Sequence, residues 1–194
     1  MPEPSPLAEI LSALGSAFGG ICPRWYVFGA QAVQVWGTPR LSADVDVTVE
    51  LPSDNTHALV SAVEHAGFAL RVRDVDDFVR RTRVLPFVHR NSGMFVDVVL
   101  AGPGPEEEFL ARARSVEIAP GLSVPIISPE DLVATKILAG RPKDIEDVRG
   151  ILRSRGSTLD IGRIRRLLGA LEGAVAQTDL LSTFEAEMAR ARGQ

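Results

Sequence analysis

A chain of 194 residues, 45% hydrophobic and 24% charged, has room for one domain or for one domain with a helical extension, and its composition is that of an ordinary soluble globular protein. A net charge of −4 gives no global attraction to nucleic acid, so any such binding must come from a local patch. Cys22 as the single cysteine excludes an internal disulfide and a multi-cysteine zinc site. Residues 1–6 lack the basic-then-apolar pattern of a secretory leader, and no run approaches the ~18 apolar residues of a membrane span. A cytoplasmic protein with no membrane partner is therefore expected.

In chain order, Leu7, Ile10, Leu11, Leu14 and Phe18 form a helical stripe. Residues 25–28 read as a short buried strand ended by Gly29, and 30–36 as a short helix closed by Gly37 and stopped by Pro39. Residues 44–51 alternate polar and apolar side chains, the strand period. Ser53 caps a predicted helix that runs to about His65 and ends at Gly67. Residues 83–89 and 94–100 are predicted strands joined by the turn residues Asn91, Ser92 and Gly93, and 102–105 form a loop. Two further strands are expected at 115–119 and 123–127.

The character changes at Ser128. An N-cap serine, Pro129 at the first helical position, and Glu130 and Asp131 in the first turn mark a helix start. Helices are predicted at about 130–139, 143–154, 160–175 and 178–191. The expected layout is an α/β core over 1–127 followed by a helical C-terminal region over 128–194, with an α+β fold class overall.

Strand geometry puts residues i and i+2 on one face. Val45, Val47 and Val49 point to the core; Asp44, Asp46 and Thr48 point the other way. Taken alone, this also fits a half-exposed strand with a polar outer face. Asp97 adds to the pattern, because it sits in the hydrophobic run 94–100, where an uncompensated carboxylate is costly to bury. If that run lies beside 44–49, three carboxylates converge. Two like charges ~4 Å apart repel by roughly 4 kcal/mol at an effective dielectric near 20. Hard oxygen ligands of this kind suit Mg²⁺ or Mn²⁺, which serve in-line phosphoryl chemistry. Upstream, a strand, Gly29 and a helix start at Ala30 place free backbone N–H groups where a phosphate could dock.

The pattern Gly29-Ala30, then Arg40-x-Ser42-x-Asp44-x-Asp46, then Asp97 in a later strand resembles the nucleotidyltransferases with a DNA-polymerase-β-like fold. The tail Glu130-Asp131-Leu132-Val133-Ala134-x-Lys136, followed by Arg141-Pro142-Lys143-Asp144-x-x-Asp147, resembles the branch holding the AbiE-type toxins of bacterial toxin–antitoxin systems. The resemblance implies a mixed sheet with helices, transfer of a nucleoside monophosphate from an NTP to an RNA, tRNA or protein acceptor with Mg²⁺ or Mn²⁺, and a cognate antitoxin. It implies Asp44, Asp46 and Asp97 as metal ligands and catalytic carboxylates, Gly29 as the start of the phosphate turn, and Lys136 with Asp144 as a second motif pair. Many relatives carry Ser or Gly where this chain has Ala30, which removes a hydroxyl contact and leaves the backbone donors.

Arg40 is a candidate for the triphosphate and equally for a surface arginine; Ser42 completes the nucleotide-binding candidates. The chain has two lysines, Lys136 and Lys143. Lys136 falls on the apolar stripe of its helix and Asp144 on that of the next, so the two charges are expected to meet. Asp144 would then orient Lys136 toward the NTP phosphates, which makes both catalytic candidates, or the lysine would form a structural ion pair or reach out to water. Arg149, Arg153, Arg155, Arg163, Arg165 and Arg166 are either a solvated helix face or a basic wall for an RNA or tRNA acceptor. His57, His65 and His89 show no metal spacing. Two rival readings are a non-catalytic, antitoxin-like binder on the same fold and a small-molecule, antibiotic nucleotidyltransferase.

Overall fold

The computed structural model describes residues 5–52 and 55–192. It divides into two units, one made of residues 1–30 and 42–127, the other of 31–41 and 128–194. In the first, α1 (Pro6–Phe18) starts at Ser5, whose Oγ accepts from Ala8 N, and buries Ile10, Leu11, Leu14 and Phe18. It is followed by β1 (Trp25–Phe28), α2 (Gly29–Trp36), β2 (Asp44–Val49), α3 (Thr56–His65), β3 (Phe68–Leu70), α4 (Val75–Thr82), β4 (Val84–His89), β5 (Phe95–Leu100), α5 (Pro105–Arg112), β6 (Arg114–Ala119) and β7 (Leu122–Ile126). Helix α2 begins in this unit and continues into residues assigned to the other. The N-cap expected at Ser53 lies outside the described residues; α3 itself begins at Thr56.

The strands form one mixed sheet in the order β3-β4-β5-β2-β1-β7-β6. The β1–β2 pair is antiparallel, whereas β2–β5 and β1–β7 are parallel. Val45, Val47 and Val49 of β2 and Val96 and Val98 of β5 are completely buried on the core side, as their alternation predicts.

Three elements go beyond the sequence reading. Strand β3 has three residues, too few for a periodic signal. Helix α4 is short and charged, with Asp74 Oδ1 accepting from Asp77 N at its start and Arg83 in the left-handed conformation at its end. Helix α5 did carry a signal in Pro105 at its first position and Glu106, Glu107 and Glu108 in its first turn.

The second unit contains α6 (Pro129–Ala139), α7 (Pro142–Arg155), α8 (Ile161–Val175) and α9 (Leu180–Arg192). Ser128 Oγ accepts from Asp131 N at 3.2 Å, so the predicted cap is formed. Helix α6 is buried nearly all round rather than on one stripe, and Leu132, Val133, Ile151, Ile164, Leu168 and Phe184 make its core. The segment 37–40 crosses α7 closely. A Cβ added at Gly150 would lie 3.0 Å from Thr38 Oγ1, and one at Gly37 would lie 2.9 Å from Ile151 Cγ1.

Candidate active site

Asp46 and Asp97 are register partners on the parallel strands β2 and β5, and Asp44 stands one step along, opposite Phe95. Partnered residues in a ladder project to the same side, so the two strands bring the carboxylates Asp46 and Asp97 to one face. On the other flank Asp46 is the partner of Phe28, the last residue of β1 before Gly29. Gly29 has φ +63°. A Cβ added there would lie 2.8 Å from Asp46 Cγ, with Oδ2 nearer still. Asp46 therefore rests against the first residue of α2, the end of a helix that favours negative charge. Ala30 is buried behind it.

The side chains take separate partners. Asp97 Oδ1 accepts from Arg71 Nη2 at 2.7 Å, with Asp97 43% and Arg71 34% exposed. Arg71 follows β3, and its Nε donates to Phe87 O at 3.0 Å. Among the described residues no three His, Cys, Asp or Glu side chains come close enough to hold a metal ion. The three-carboxylate convergence expected from sequence is thus reached by the backbone register of Asp46 and Asp97 but not by the side chains. Like charges repel, and the Arg71 guanidinium holds the Asp97 carboxylate. Two hard carboxylates at partnered positions of adjacent strands still suit a divalent cation. The Asp97–Arg71 pair is exposed enough to exchange at little cost.

Ser42 Oγ accepts from Asp44 N at 3.4 Å, shaping the entry into β2. Arg40 bonds within the second unit: Nε and Nη2 donate to Asp147 Oδ1 and Oδ2 at 2.8 and 3.1 Å. Asp147 also accepts from Lys136 Nζ at 2.8 Å, and the same Nζ donates to Asp144 Oδ1 at 2.7 Å. Arg141 Nε closes the chain on Asp144 Oδ2. Lys136 is 6% exposed, Asp147 5% and Asp144 fully buried. Burial pushes the Asp144 carboxyl up, but hydrogen bonds from Arg141 and Lys136 outweigh it and hold it below the ordinary value. Asp147 follows the same balance, with burial opposed by Arg40 and Lys136. Sequence reasoning brought Lys136 and Asp144 together; Asp147 completes the group, its signal being its i+3 spacing from Asp144.

The arginine-rich C-terminal segment is largely engaged within its own unit. Arg149 bonds Glu187 and Glu146, Arg163 bonds Asp131, and Arg165 bonds Glu185. Arg155 lies over the Trp36 ring and donates to Val35 O. The ion pairs of Arg149, Arg163 and Arg165 neutralise charge that an acceptor wall would need. Among the described residues no helix is long and apolar enough to cross a membrane.

The sequence profile of the family described as "Nucleotidyl transferase AbiEii toxin, Type IV TA system" matches residues 19–193. No curated protein matches the chain in sequence. Among solved structures, the antibiotic-resistance factor ANT(2'')-Ia superposes with a TM-score of 0.57 at 16% identity, covering 88% of this chain and 93% of its own. The nucleotidyltransferase toxin MenT4 from Mycobacterium tuberculosis gives 0.52 at 17% identity, covering 84% of this chain and 60% of its own. An antigenic nucleotidyltransferase-like protein from Paracoccidioides brasiliensis gives 0.51 at 20% identity, covering 93% of this chain and 89% of its own. At these identities the likeness is one of fold.

Proposed function

The chain belongs to the AbiEii nucleotidyl transferase toxin family and is a nucleotidyl transfer enzyme, and from that premise we propose that it transfers a nucleoside monophosphate from an NTP to an RNA acceptor such as tRNA, in the cytoplasm, in a system with a cognate antitoxin. The observation that carries this reading is the parallel register of Asp46 with Asp97 beside Gly29. It sets two hard carboxylates next to a helix N-terminus, the pairing that phosphoryl chemistry uses.

In this reading Asp46 and Asp97, with Asp44 beside them, would hold Mg²⁺ or Mn²⁺, which would neutralise charge on the triphosphate. The N–H groups at the start of α2, from Gly29 and Ala30 onward, bind phosphate oxygens. Asp97 receives the proton of the acceptor hydroxyl as it attacks the α-phosphorus in line and pyrophosphate leaves. Most of the acceleration comes from positioning and charge placement rather than from a covalent step.

Ser42 keeps the entry to β2 in shape for the Asp44 carboxylate. Lys136, Asp144 and Asp147 act as positioning residues: with both carboxylates on its ammonium, Lys136 locks α6 to α7, and Arg40 ties the segment ahead of β2 to the same cluster. An arginine rather than a further carboxylate beside Asp97 suits a polyanionic acceptor and opposes a polycationic drug.

The test is incubation of the protein and its Asp46→Asn variant with each α-labelled NTP, Mg²⁺, and total RNA or total protein from lysate. Label that appears in RNA, resists protease, is lost to ribonuclease and is absent with the variant supports the reading. Label in protein or in a small molecule overturns the acceptor assignment.

A further inference from the structure

Phe95 is one of the few large apolar side chains left exposed among the described residues, at 46%, in a strand whose other face is buried. It lies two residues before Asp97 and so on the same face, opposite Asp44 on β2 and Val88 on β4. The Arg71 guanidinium stacks over its ring, 4.5 Å from the centroid. Two further contacts fix the plane of that guanidinium, Nε to Phe87 O and Nη2 to Asp97 Oδ1. Arg71 therefore arrives at the reacting carboxylate already oriented, with its cation held over an aromatic ring.

We propose that the Arg71–Phe95 stack is the acceptor subsite, a platform on which a nucleobase at the single-stranded end of an RNA lies while its hydroxyl meets Asp97. The inference rests on the RNA reading above and adds to it the residues that select the acceptor. A base has a π-face whatever its sequence, and aromatic rings and guanidinium planes are the surfaces on which unpaired bases stack. The pre-fixed plane lowers the ordering cost of binding, since Arg71 does not have to be immobilised by its ligand. Its charge faces a phosphodiester favourably and a polyamine unfavourably. Two requirements of the reaction, holding the acceptor end and placing its hydroxyl, thereby fall on residues joined by one ion pair.

The test is fluorescence anisotropy with a 5′-labelled single-stranded octaribonucleotide carrying a free 3′ hydroxyl, titrated with wild type, Phe95→Leu, Phe95→Trp and Arg71→Lys. Leucine keeps the apolar volume and loses the π-face; lysine keeps the charge and loses the plane. Phe95→Leu and Arg71→Lys are expected to bind about tenfold more weakly or worse, and Phe95→Trp at least as tightly as wild type. Calorimetric affinity for the NTP should be unchanged in all three, which a general loss of structure would not allow. Affinities for RNA within twofold of wild type in Phe95→Leu and Arg71→Lys would overturn the platform and leave the RNA reading standing. A wild type that does not bind the oligonucleotide at all would overturn both.

Discussion

The carboxylate of Asp46 occupies the space that a side chain on Gly29 would need: an added Cβ would lie 2.8 Å from Asp46 Cγ, at a backbone φ of +63°. Both constraints point to glycine. One is steric and is set by a neighbouring strand; the other is local, since L side chains pay about 1–2 kcal/mol in the left-handed region.

Gly29→Ala is accordingly expected to push Asp46 off the start of α2. Its NTP-dependent transfer should fall at least ~100-fold, the scale of losing one preorganised charge contact. Single-turnover assays together with a circular-dichroism melt check this; a variant with wild-type turnover would refute the role given to Gly29.

Metal binding should follow the carboxylates. Titration with Mn²⁺ is expected to give a calorimetric signal that Asp44→Asn with Asp46→Asn removes. The doubly substituted protein should unfold at the same urea concentration as wild type or higher, because crowded like charges are relieved. Asp97→Asn should also weaken Mn²⁺ binding while costing only about 0–1 kcal/mol of stability, since its pair with Arg71 is exposed.

Lys136→Met leaves Asp144 and Asp147 buried with one partner each instead of two. Removing one member of a buried charge cluster typically costs about 3–5 kcal/mol. The urea midpoint should drop accordingly. Specific activity of the fraction that remains folded should fall less than in Asp46→Asn. A midpoint equal to wild type with activity abolished would instead make Lys136 a direct substrate contact.

The same cluster sets an acid limit. Asp144 and Asp147 have their folded pKa values held below the ordinary one. A depressed folded pKa contributes stability that is present above the unfolded value, about 3.9 for aspartate, and is lost as pH falls through the folded value. The unfolding free energy of the wild type should therefore be insensitive to these groups from neutral pH down to about 5, then decline below about 4. Asp147→Asn should show a shallower decline in urea titrations between pH 6 and 3, from a lower starting value.

Local pattern in the sequence determined the β2 alternation that puts Asp44 and Asp46 on one side, the cap and proline that start α6, the strands β1, β4 and β5, and the helical character after Ser128. These depend on periods of 2 and 3.6 residues and on capping chemistry, all readable within a short window. It also marked the residues whose chemistry matters, because a lone aspartate in an apolar strand and a lysine on an apolar stripe are conspicuous against their neighbours. The apolar stripes also brought Lys136 to Asp144, whereas tertiary structure decided the remaining meetings. Asp97 is a register partner of Asp46 only because β5 is inserted beside β2 in parallel, and Arg71 reaches Asp97 only because β3 and β4 continue the sheet beyond it. Arg40 could face phosphate or protein until the crossing of 37–40 over α7 brought it to Asp147. The arginine run could have been a basic wall until Glu185, Glu187 and Asp131, dispersed along the chain, came within bonding distance of it. Partner choice between side chains far apart in sequence is settled by strand order, helix crossing and rotamer, and no local window contains those.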